Sequence, residues 1–160
     1  MSAQVVKTEL VEDGVALVTL ANPPVNAHSQ QLLSEVASTF DQLSDRADVR
    51  VAILTGEGKC FCAGADIKER MATVPKPGDH WQKSRRAREA YHSIMECQVP
   101  VIGALNGVAL GGGLALAATL IISNKVDASE IQDHYKDIIS QKPYTVEVCR
   151  DRVVSGDKTG

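Results

Sequence analysis

The sequence predicts an α/β domain, in which short strands of branched apolar residues alternate with amphipathic helices. Residues 15–20 and 49–55 are nearly all apolar, which is typical of strands buried on both faces. Other segments carry apolar residues at helical spacing, so helices are expected to cover both faces of the sheet. Of the 160 residues, 44% are hydrophobic but only 4% are aromatic, and the core is therefore expected to be aliphatic.

The first elements are expected to be two strands, at residues 3–11 and 15–21. Asp13-Gly14 between them is a strong hairpin signal. Asn22-Pro23-Pro24 ends the second strand, because proline cannot donate a hydrogen bond to a strand ladder. Ser29 has the position of a helix N-cap. The apolar face of that helix is expected to contain Leu32, Leu33, Val36, Phe40 and Leu43.

The later elements continue the alternation of strands and helices. They are a strand at 49–55, a turn at 56–59, a small-residue segment at 60–69, a loop at 72–80, a helix at 81–97, a strand at 99–110 and a helix at 113–122. The helix at 81–97 is expected to face inward with Ala87, Ala90, Tyr91 and Ile94. The predicted order is strand, strand, helix, strand, helix, strand, helix.

Composition and charge argue against several classes of protein. The chain has 17 Lys and Arg residues against 20 Asp and Glu, and a net charge of −3 does not suggest a nucleic-acid partner. No secretion signal is expected, because the first residues show no basic region followed by an apolar one. No membrane span is expected, because the longest apolar stretch is interrupted by a proline and glycines. The four cysteines lack the spacing of a zinc site, and no metal is expected. Reduced cysteines indicate a reducing compartment, so the expected location is cytoplasmic.

Glycines at the end of a predicted strand raise the question of function. In NGVALGGGLALAA, residues 106–118, Gly111, Gly112 and Gly113 lead from a strand into a helix. Backbone N–H groups at a helix start have no partner within the helix and lie at the positive end of its dipole. Since glycine lets a ligand approach the backbone, these donors could hold a developing negative charge. The alternative is that the glycines only permit close strand–helix packing, whereas a phosphate loop fits the spacing less well.

A second small-residue turn, Ala63-Gly64-Ala65-Asp66, also follows a strand. Two such turns can each supply one N–H, and two donors aimed at one oxygen form an oxyanion hole. The segments GKCFCAGADIKE and PVIGALNGVALGGGLALAA resemble the two signature regions of the crotonase (enoyl-CoA hydratase/isomerase) superfamily. NPPVNAHS resembles the opening strand-to-helix turn of that family. The likeness covers about residues 5–118.

The resemblance implies a β-β-α spiral fold and an acyl-coenzyme A thioester as substrate, with coenzyme A entering as part of that substrate and no separate cofactor. Carried over by position, the peptide N–H groups of Ala65 and Gly112 would form the oxyanion hole and bind the thioester oxygen as it becomes an enolate. The positions that line the coenzyme A pocket in the family are occupied here by Ala27, Ala63, Asp66, Ile67 and Lys68. The family usually forms trimers completed by C-terminal helices.

The chain departs from the family pattern at the acid–base positions. Family hydratases carry a glutamate two residues after the third glycine, and this chain has Ala115 there. A second glutamate normally lies some twenty residues later, where this chain has Tyr135. Hydration needs a carboxylate to activate water and an acid to protonate the α-carbon, and alanine can do neither. Ala115 therefore argues against a two-glutamate hydratase more than against the whole superfamily.

After Ala118 the family pattern stops. Residues 1–122 are expected to form a crotonase-like acyl-CoA-binding core, and 123–160 a divergent tail of unassigned role, with a possible helix at 127–140 and strand at 144–149. The chain is shorter than family members and lacks their C-terminal trimerising helices. It is therefore interpreted as a truncated, alternatively spliced or fused product, in which a trimer is less favoured.

Three interpretations remain open at this point. One is an acyl-CoA enzyme of the hydratase/isomerase type, and a second is an inactive member that binds acyl-CoA or co-assembles with full-length relatives. The third is a nonfunctional fragment that folds poorly. Other polar candidates are read as structural, including the nearest carboxylates that could substitute for the family glutamate, Glu69, Glu130 and Asp133. The basic cluster at 83–88 is expected to be a solvated helix face, Cys62 to pack among small residues, and His28, His80, His92 and His134 to lie on the surface or in a satisfied core.

Overall fold

The computed structural model describes residues 3–72, 74 and 76–122. Within these residues the strands are β1 (Val6–Leu10), β2 (Val15–Leu20), β3 (Val51–Gly56), β4 (Cys60–Cys62), β5 (Val101–Ala104) and β6 (Val108–Ala109). The helices are α1 (Gln30–Ser44), α2 (Ile67–Met71), α3 (Asp79–Met95) and α4 (Gly112–Ile122), and a short 3-10 turn, Glu12–Gly14, joins β1 to β2.

Four strands form one sheet in the order β1-β2-β3-β5, in which β1 is antiparallel to β2 and the other neighbours are parallel. The apolar runs predicted to be buried form its centre: β2 and β3 pair from Val15 opposite Val51 to Leu20 opposite Gly56. A second, two-stranded sheet pairs β4 with β6 in parallel. This mixed architecture confirms the α/β class predicted from the sequence.

Alternate side chains of the large sheet enter two separate apolar clusters, as the pleat of a strand requires. The first cluster joins Val18, Leu54 and Val101 to the buried faces of α1, α3 and α4. The second contains sheet residues together with Val11: Val15, Leu17, Val51, Ile53, Ile102 and Ala104. The described helices contribute only to the first cluster, so the expectation of helices on both faces is not met by the part of the chain that the structure describes.

The predicted N-cap and buried face of α1 are both confirmed. The Ser29 hydroxyl oxygen accepts a hydrogen bond from the Leu32 N–H at 3.1 Å, which satisfies one of the free donors at the helix start. The buried residues of α1 are those expected from helical spacing: Leu32, Leu33, Val36, Phe40 and Leu43. Helix α3 packs on α1 through the buried residues Ala90 and Ile94, also as predicted, and begins two residues earlier than expected.

The prediction of a single strand at 99–110 is wrong, because the chain passes from the large sheet to the small sheet within these residues. Strand β5 ends at Ala104 and β6 begins at Val108 in the smaller sheet. Asn106 fixes the crossing: its side-chain oxygen accepts from the Gly56 N–H at 3.0 Å, and its amide donates to the Gly58 carbonyl at 2.8 Å. Gly107 has no room for a Cβ, which would overlap the carbonyl of Lys59.

Helix α2 was not expected from the sequence. Its N-cap is Asp66, whose carboxylate accepts from the Glu69 N–H at 3.0 Å. The predicted tail at 123–160, with its possible helix and strand and with Tyr135, lies outside the described residues.

The turn between β2 and α1 is held by one buried asparagine. Asn26 is 1% exposed and adopts a left-handed backbone conformation with φ 52°. Its side-chain amide donates to the carbonyls of Glu57 at 3.0 Å and Cys60 at 2.8 Å, and its side-chain oxygen accepts from the Asn22 N–H at 3.1 Å. This residue therefore joins the first turn to the start of β4.

We predict that Asn26→Ala lowers the free energy of unfolding by about 2–4 kcal/mol, because an unsatisfied buried group costs about 1–3 kcal/mol. Urea unfolding followed by circular dichroism measures the change. Gln98→Ala, which removes an exposed amide, is the matched control and should stay within about 0.5 kcal/mol of the parent. Equal effects of the two changes would contradict this role for Asn26.

Candidate active site

The two glycine-bearing turns meet in space. Strand β4 leads into the turn at Ala63–Asp66, and β6, its parallel partner, leads into the turn at Leu110–Gly113. A Cβ on Gly64 would lie 2.5 Å from the Leu110 carbonyl oxygen and 2.9 Å from the Gly112 nitrogen. A Cβ on Gly113 would overlap the Cys62 carbonyl. Only glycine permits so close an approach of the two backbones.

The N–H of Ala65 points away from the neighbouring segment, which contains His28. The His28 N–H donates to the Gly64 carbonyl at 2.7 Å, and the Asp66 N–H donates to the His28 carbonyl at 3.3 Å. These two bonds make Ala65 the residue directly opposite His28 in a parallel bridge. In such a pair the N–H of the middle residue points to the other side. Within the described residues it donates no hydrogen bond.

The N–H of Gly112 is also without an acceptor among the described residues. Gly112 is the first residue of α4, where the backbone donors of a helix have no internal partner and where the helix dipole is positive. The next donor along, the N–H of Gly113, is already used by the Leu110 carbonyl at 2.8 Å. Two unpaired amides, from separate turns, are therefore available.

Both amides belong to residues that line one cavity of about 270 Å³. The cavity lies between the Ala65 turn, helix α3 and the start of α4. Its lining residues are His28, Gln30, Leu33, Ala65, Asp66, Glu69, Arg70, Asp79, His80, Lys83, Ser84, Arg86, Ala87, Tyr91 and Gly112. The two residues that the family resemblance assigns to an oxyanion hole, Ala65 and Gly112, thus both line this cavity.

The carboxylates of this cavity are occupied by backbone donors. Asp66 caps α2, Glu69 accepts from the Gln30 N–H at 2.9 Å, and Asp79 accepts from the Lys76 N–H at 2.8 Å. Each of the three carboxylates therefore has a structural role at, or just before, the start of a helix beside the cavity. Of the carboxylates considered from the sequence as substitutes for the family glutamate, Glu69 lies here, whereas Glu130 and Asp133 lie outside the described residues.

Three basic side chains, Arg70, Lys83 and Arg86, line the same cavity. The sequence had suggested a solvated helix face for the basic cluster of α3, and this is correct for two of its members. Arg85 pairs with Glu89 at 3.2 Å, and Arg88 lies over the ring of Trp81. Lys83 and Arg86 instead face the cavity, and Arg86 donates to the side chain of Gln30.

The reading of His28 as a surface or satisfied histidine is wrong. Its ring lies in the cavity wall, its Nε2 is buried, and Nε2 has no hydrogen-bond partner among the described residues. Burial lowers the pKa of this imidazole to about 4, so it is neutral near pH 7. Nδ1 lies 3.5 Å from the hydroxyl of Tyr91, which donates to the Gly112 carbonyl at 3.0 Å. The inward position of Tyr91 on α3 was predicted, but its contact with His28 was not.

The residues carried over as coenzyme A contacts divide into three groups. Asp66 lines the cavity described above. Ala27 and Ala63 are half-buried in the turns beside it, where the Ala63 N–H donates to the Val25 carbonyl at 3.0 Å. Ile67 and Lys68 project from α2 into solvent. They lie at the outer edge of the site and do not line this cavity.

Ala115 and Cys62 add no reactive group to the site. Ala115 lies exposed in the first turn of α4, where it presents a methyl group in place of the family carboxylate. Cys62 is fully buried, and burial raises the pKa of its thiol to about 11. It therefore stays a protonated thiol, as the packing interpretation of the sequence requires.

Within residues 3–72, 74 and 76–122, no group of three or more His, Cys, Asp or Glu side chains could hold a metal ion. In the same part of the chain, no helix combines the length and apolar character needed to cross a bilayer.

Parallel strands β4 and β6, each followed by a glycine-bearing turn that borders the same cavity, are the features of a crotonase-type fold. Comparisons with known proteins agree. The family model described as enoyl-CoA hydratase/isomerase matches residues 11–129, so the chain belongs to the enoyl-CoA hydratase/isomerase family. The crotonase resemblance inferred from three short segments is thereby confirmed.

Relatives and solved structures show the same likeness over the same region. A Bacillus subtilis (strain 168) protein named "Probable enoyl-CoA hydratase" is 42% identical over 107 residues, which cover 67% of this chain and 41% of that protein. A Mycobacterium tuberculosis (strain ATCC 25618 / H37Rv) protein named as a (7aS)-7a-methyl-1,5-dioxo-2,3,5,6,7,7a-hexahydro-1H-indene-carboxyl-CoA hydrolase is 36% identical over 119 residues, covering 74% of this chain and 47% of that protein. The crystal structure of an enoyl-CoA hydratase from Bacillus anthracis superposes with a TM-score of 0.68 at 33% identity, covering 72% and 45%. The chain therefore spans less than half the length of these relatives.

We predict that Gly113→Ala strongly destabilises the chain, although alanine is the better helix former, because its Cβ would overlap the Cys62 carbonyl. Gly111→Ala is the matched control: no atom lies within 4 Å of its Cβ, and its φ of 51° costs alanine about 1–2 kcal/mol. Thermal unfolding should show a much larger fall in Tm for the change at 113. A smaller fall at 113 than at 111 would contradict the proposed contact between the two turns.

We also predict that His28 makes folding stability depend on pH. The pKa of its imidazole is about 4 in the folded chain and about 6.5 when unfolded, so the unfolded state binds more protons between these values. The stability contributed by the neutral ring is present above pH 6.5 and is lost as the pH falls toward 4. Urea unfolding of the parent and of His28→Leu should show a steeper loss for the parent in this window. Parallel curves would refute the assignment of a buried neutral ring.

Proposed function

We propose that this chain binds an acyl-CoA thioester and stabilises its enolate with the backbone N–H groups of Ala65 and Gly112. The observation that supports the proposal most is geometric: two unpaired amides from separate turns border one cavity. The family to which the chain belongs supports the same reading.

Backbone amides suit this reaction because they are fixed before the charge develops. When the α-proton of a thioester leaves, negative charge moves onto the carbonyl oxygen, and two preorganised donors stabilise it without reorganisation. The position of Gly112 at the positive end of α4 adds to this stabilisation. One donor of this kind contributes roughly a hundred- to a thousand-fold in rate.

The charges around the cavity suit the rest of the proposed substrate. Arg70, Lys83 and Arg86 could meet phosphate oxygens of coenzyme A, since guanidinium and ammonium groups form strong charge-assisted hydrogen bonds with them. Ala27, Ala63, Asp66, Ile67 and Lys68 are proposed to line the remaining coenzyme A path by their family positions. Coenzyme A enters with the substrate, and no separate cofactor is proposed.

Isomerisation of the acyl chain is the reaction that we favour over hydration. Ala115 supplies no carboxylate to activate water, whereas moving a double bond needs only removal and return of a proton beside a stabilised enolate. The cytoplasm is the proposed location, in accord with the free thiols of Cys60, Cys62 and Cys97.

Proline at position 65 tests the proposal, because it removes the N–H while the His28 bridge uses only the neighbouring residues. We expect Ala65→Pro to lower kcat about 10²–10³-fold with a 3-enoyl-CoA, measured by thioester absorbance. Ala65→Ser keeps the N–H at the same exposed position and is the matched control. If both variants melt cooperatively and turn over equally fast, the oxyanion hole is wrong.

A second candidate function is an inactive subunit that binds acyl-CoA or co-assembles with longer relatives. It is favoured by the loss of the family carboxylate at Ala115 and by the exposed apolar side chains of Val108, Leu110 and Leu114, which are 56%, 56% and 60% exposed. A trimer of the family type would cover such side chains. Light scattering of the purified chain, alone and mixed with a full-length relative, distinguishes the two functions when combined with the activity assay.

A further inference from the structure

His28 has a role that the proposed oxyanion hole does not explain. Its Nε2 is buried without a hydrogen-bond partner among the described residues, and leaving a buried polar atom unsatisfied destabilises a fold. Most buried polar groups in folded proteins are satisfied, so an exception beside a cavity points to a functional group. The ring itself lines the cavity that contains both proposed donor residues.

The hydrogen bonds around the ring assign its tautomer. The hydroxyl of Tyr91 donates its only proton to the Gly112 carbonyl at 3.0 Å. The hydroxyl oxygen of Tyr91 lies 3.5 Å from Nδ1 and can therefore only accept a hydrogen bond from it. Nδ1 is accordingly assigned as the protonated nitrogen of the ring. Nε2 is then left with a free lone pair. Burial keeps the ring neutral, since it lowers the pKa to about 4.

The ring lies beside one proposed donor residue, Gly112, and the backbone of the same histidine pairs with the other, Ala65. The backbone of His28 bridges Ala65, and Nδ1 is 2.8 Å from the point that a Cβ on Gly112 would occupy. The absence of a side chain at Gly112 is what leaves room for the imidazole. A thioester oxygen held by both amides would therefore bring its α-carbon into the neighbourhood of this ring.

The other acid–base groups of the cavity are less suitable. The carboxylates of Asp66, Glu69 and Asp79 accept backbone N–H groups, and His80 is exposed at the start of α3. Ala115 has no titratable group. Tyr91 is held protonated, because burial raises its pKa to about 12.

We propose that His28 is the catalytic base of this site and that Tyr91 is its positioning residue, an inference that rests on the proposed binding of a thioester enolate. Nε2 takes the α-proton of the acyl group. The Tyr91 hydroxyl holds the opposite nitrogen and so fixes which nitrogen carries the lone pair. The imidazole thus replaces the carboxylate missing at Ala115.

The step conserves protons and electrons. The α-C–H bond breaks, its proton binds Nε2, and its electron pair forms the double bond between the α-carbon and the carbonyl carbon. The carbonyl π pair moves to the oxygen, which the N–H groups of Ala65 and Gly112 stabilise. The imidazolium then returns its proton to the acyl chain, either at the α-carbon or, for a β,γ-unsaturated substrate, at the γ-carbon.

The burial of Nε2 sets two conditions on this step. Nε2 must become accessible to the acyl chain when the substrate enters, while Nδ1 keeps its contact with Tyr91, and catalytic contacts often form only in the bound complex. A buried imidazolium also needs a nearby negative charge, and the enolate formed in the same step supplies it. Both conditions tie proton transfer to the bound thioester.

The test measures exchange of the α-hydrogens of butyryl-CoA for deuterium in D2O, by mass spectrometry with the full chain. Butyryl-CoA has no double bond to hydrate or move, so exchange reports only proton removal and return. We expect His28→Asn, which keeps a donor toward Tyr91 but has no basic nitrogen, to slow exchange about 10²–10⁴-fold. His92→Asn, on the exposed face of α3, should exchange like the parent.

Two further readouts separate catalysis from folding. The rise in Tm on adding butyryl-CoA should be equal in the parent and in His28→Asn, because the two donor amides remain. In His28→Ala, added imidazole should restore part of the lost exchange, which a merely structural role of the side chain would not allow. Tyr91→Phe should slow exchange less than His28→Asn does.

The outcomes distinguish this inference from the proposed function. Binding with normal exchange in His28→Asn, or binding without exchange in the parent, overturns the role of His28 and leaves the thioester site standing. Failure of the parent to bind butyryl-CoA overturns both. Both are supported if the His28 variants lose hydrogen exchange but still bind butyryl-CoA, and if imidazole restores part of the exchange in His28→Ala.

Discussion

The close contact of two backbone turns is the constraint on which the site depends. The turn after β4 and the turn after β6 approach so closely that Gly64 and Gly113 have no room for a side chain. Parallel pairing of β4 with β6 brings the two turns to the same edge of the small sheet. Because each turn then keeps one N–H unpaired, the packing that stabilises the fold also creates the proposed oxyanion hole.

The remainder of the fold holds these turns in position. Asn106 fastens the crossing from β5 to β6, and Asn26 fastens the first turn to β4. Both are side-chain amides that bond backbone groups where the chain leaves regular strands. The large sheet and the helices on its first apolar cluster contain most of the buried apolar residues, whereas these amides connect the large sheet and the first turn to the small sheet.

The chemistry of the site is polar but nearly uncharged at its centre. The carboxylates of the cavity are used as caps and turn acceptors, and the basic side chains lie on α2 and α3. What remains beside the two amides is a neutral imidazole and a protonated phenol. Such a centre suits a neutral thioester that becomes charged only during the reaction, because fixed dipoles stabilise the transition state more than the ground state.

Sequence alone determined the α/β class, the N-cap and buried face of α1, the inward face of α3 and the two glycine-bearing turns. These follow from local physics: helical spacing, capping chemistry and the conformational freedom of glycine are properties of short segments. The choice of Ala65 and Gly112 within the two turns came from the family resemblance. The switch of sheet at Asn106, the burial of His28 and its contact with Tyr91 required the tertiary structure. His28 belongs to a segment that resembles the family, and Tyr91 was expected to face inward. Their contact could not be predicted, because the two residues are 63 positions apart in the sequence. Whether a histidine is solvated or left with an unpaired nitrogen depends on what packs against it from distant segments, and no local pattern contains that information.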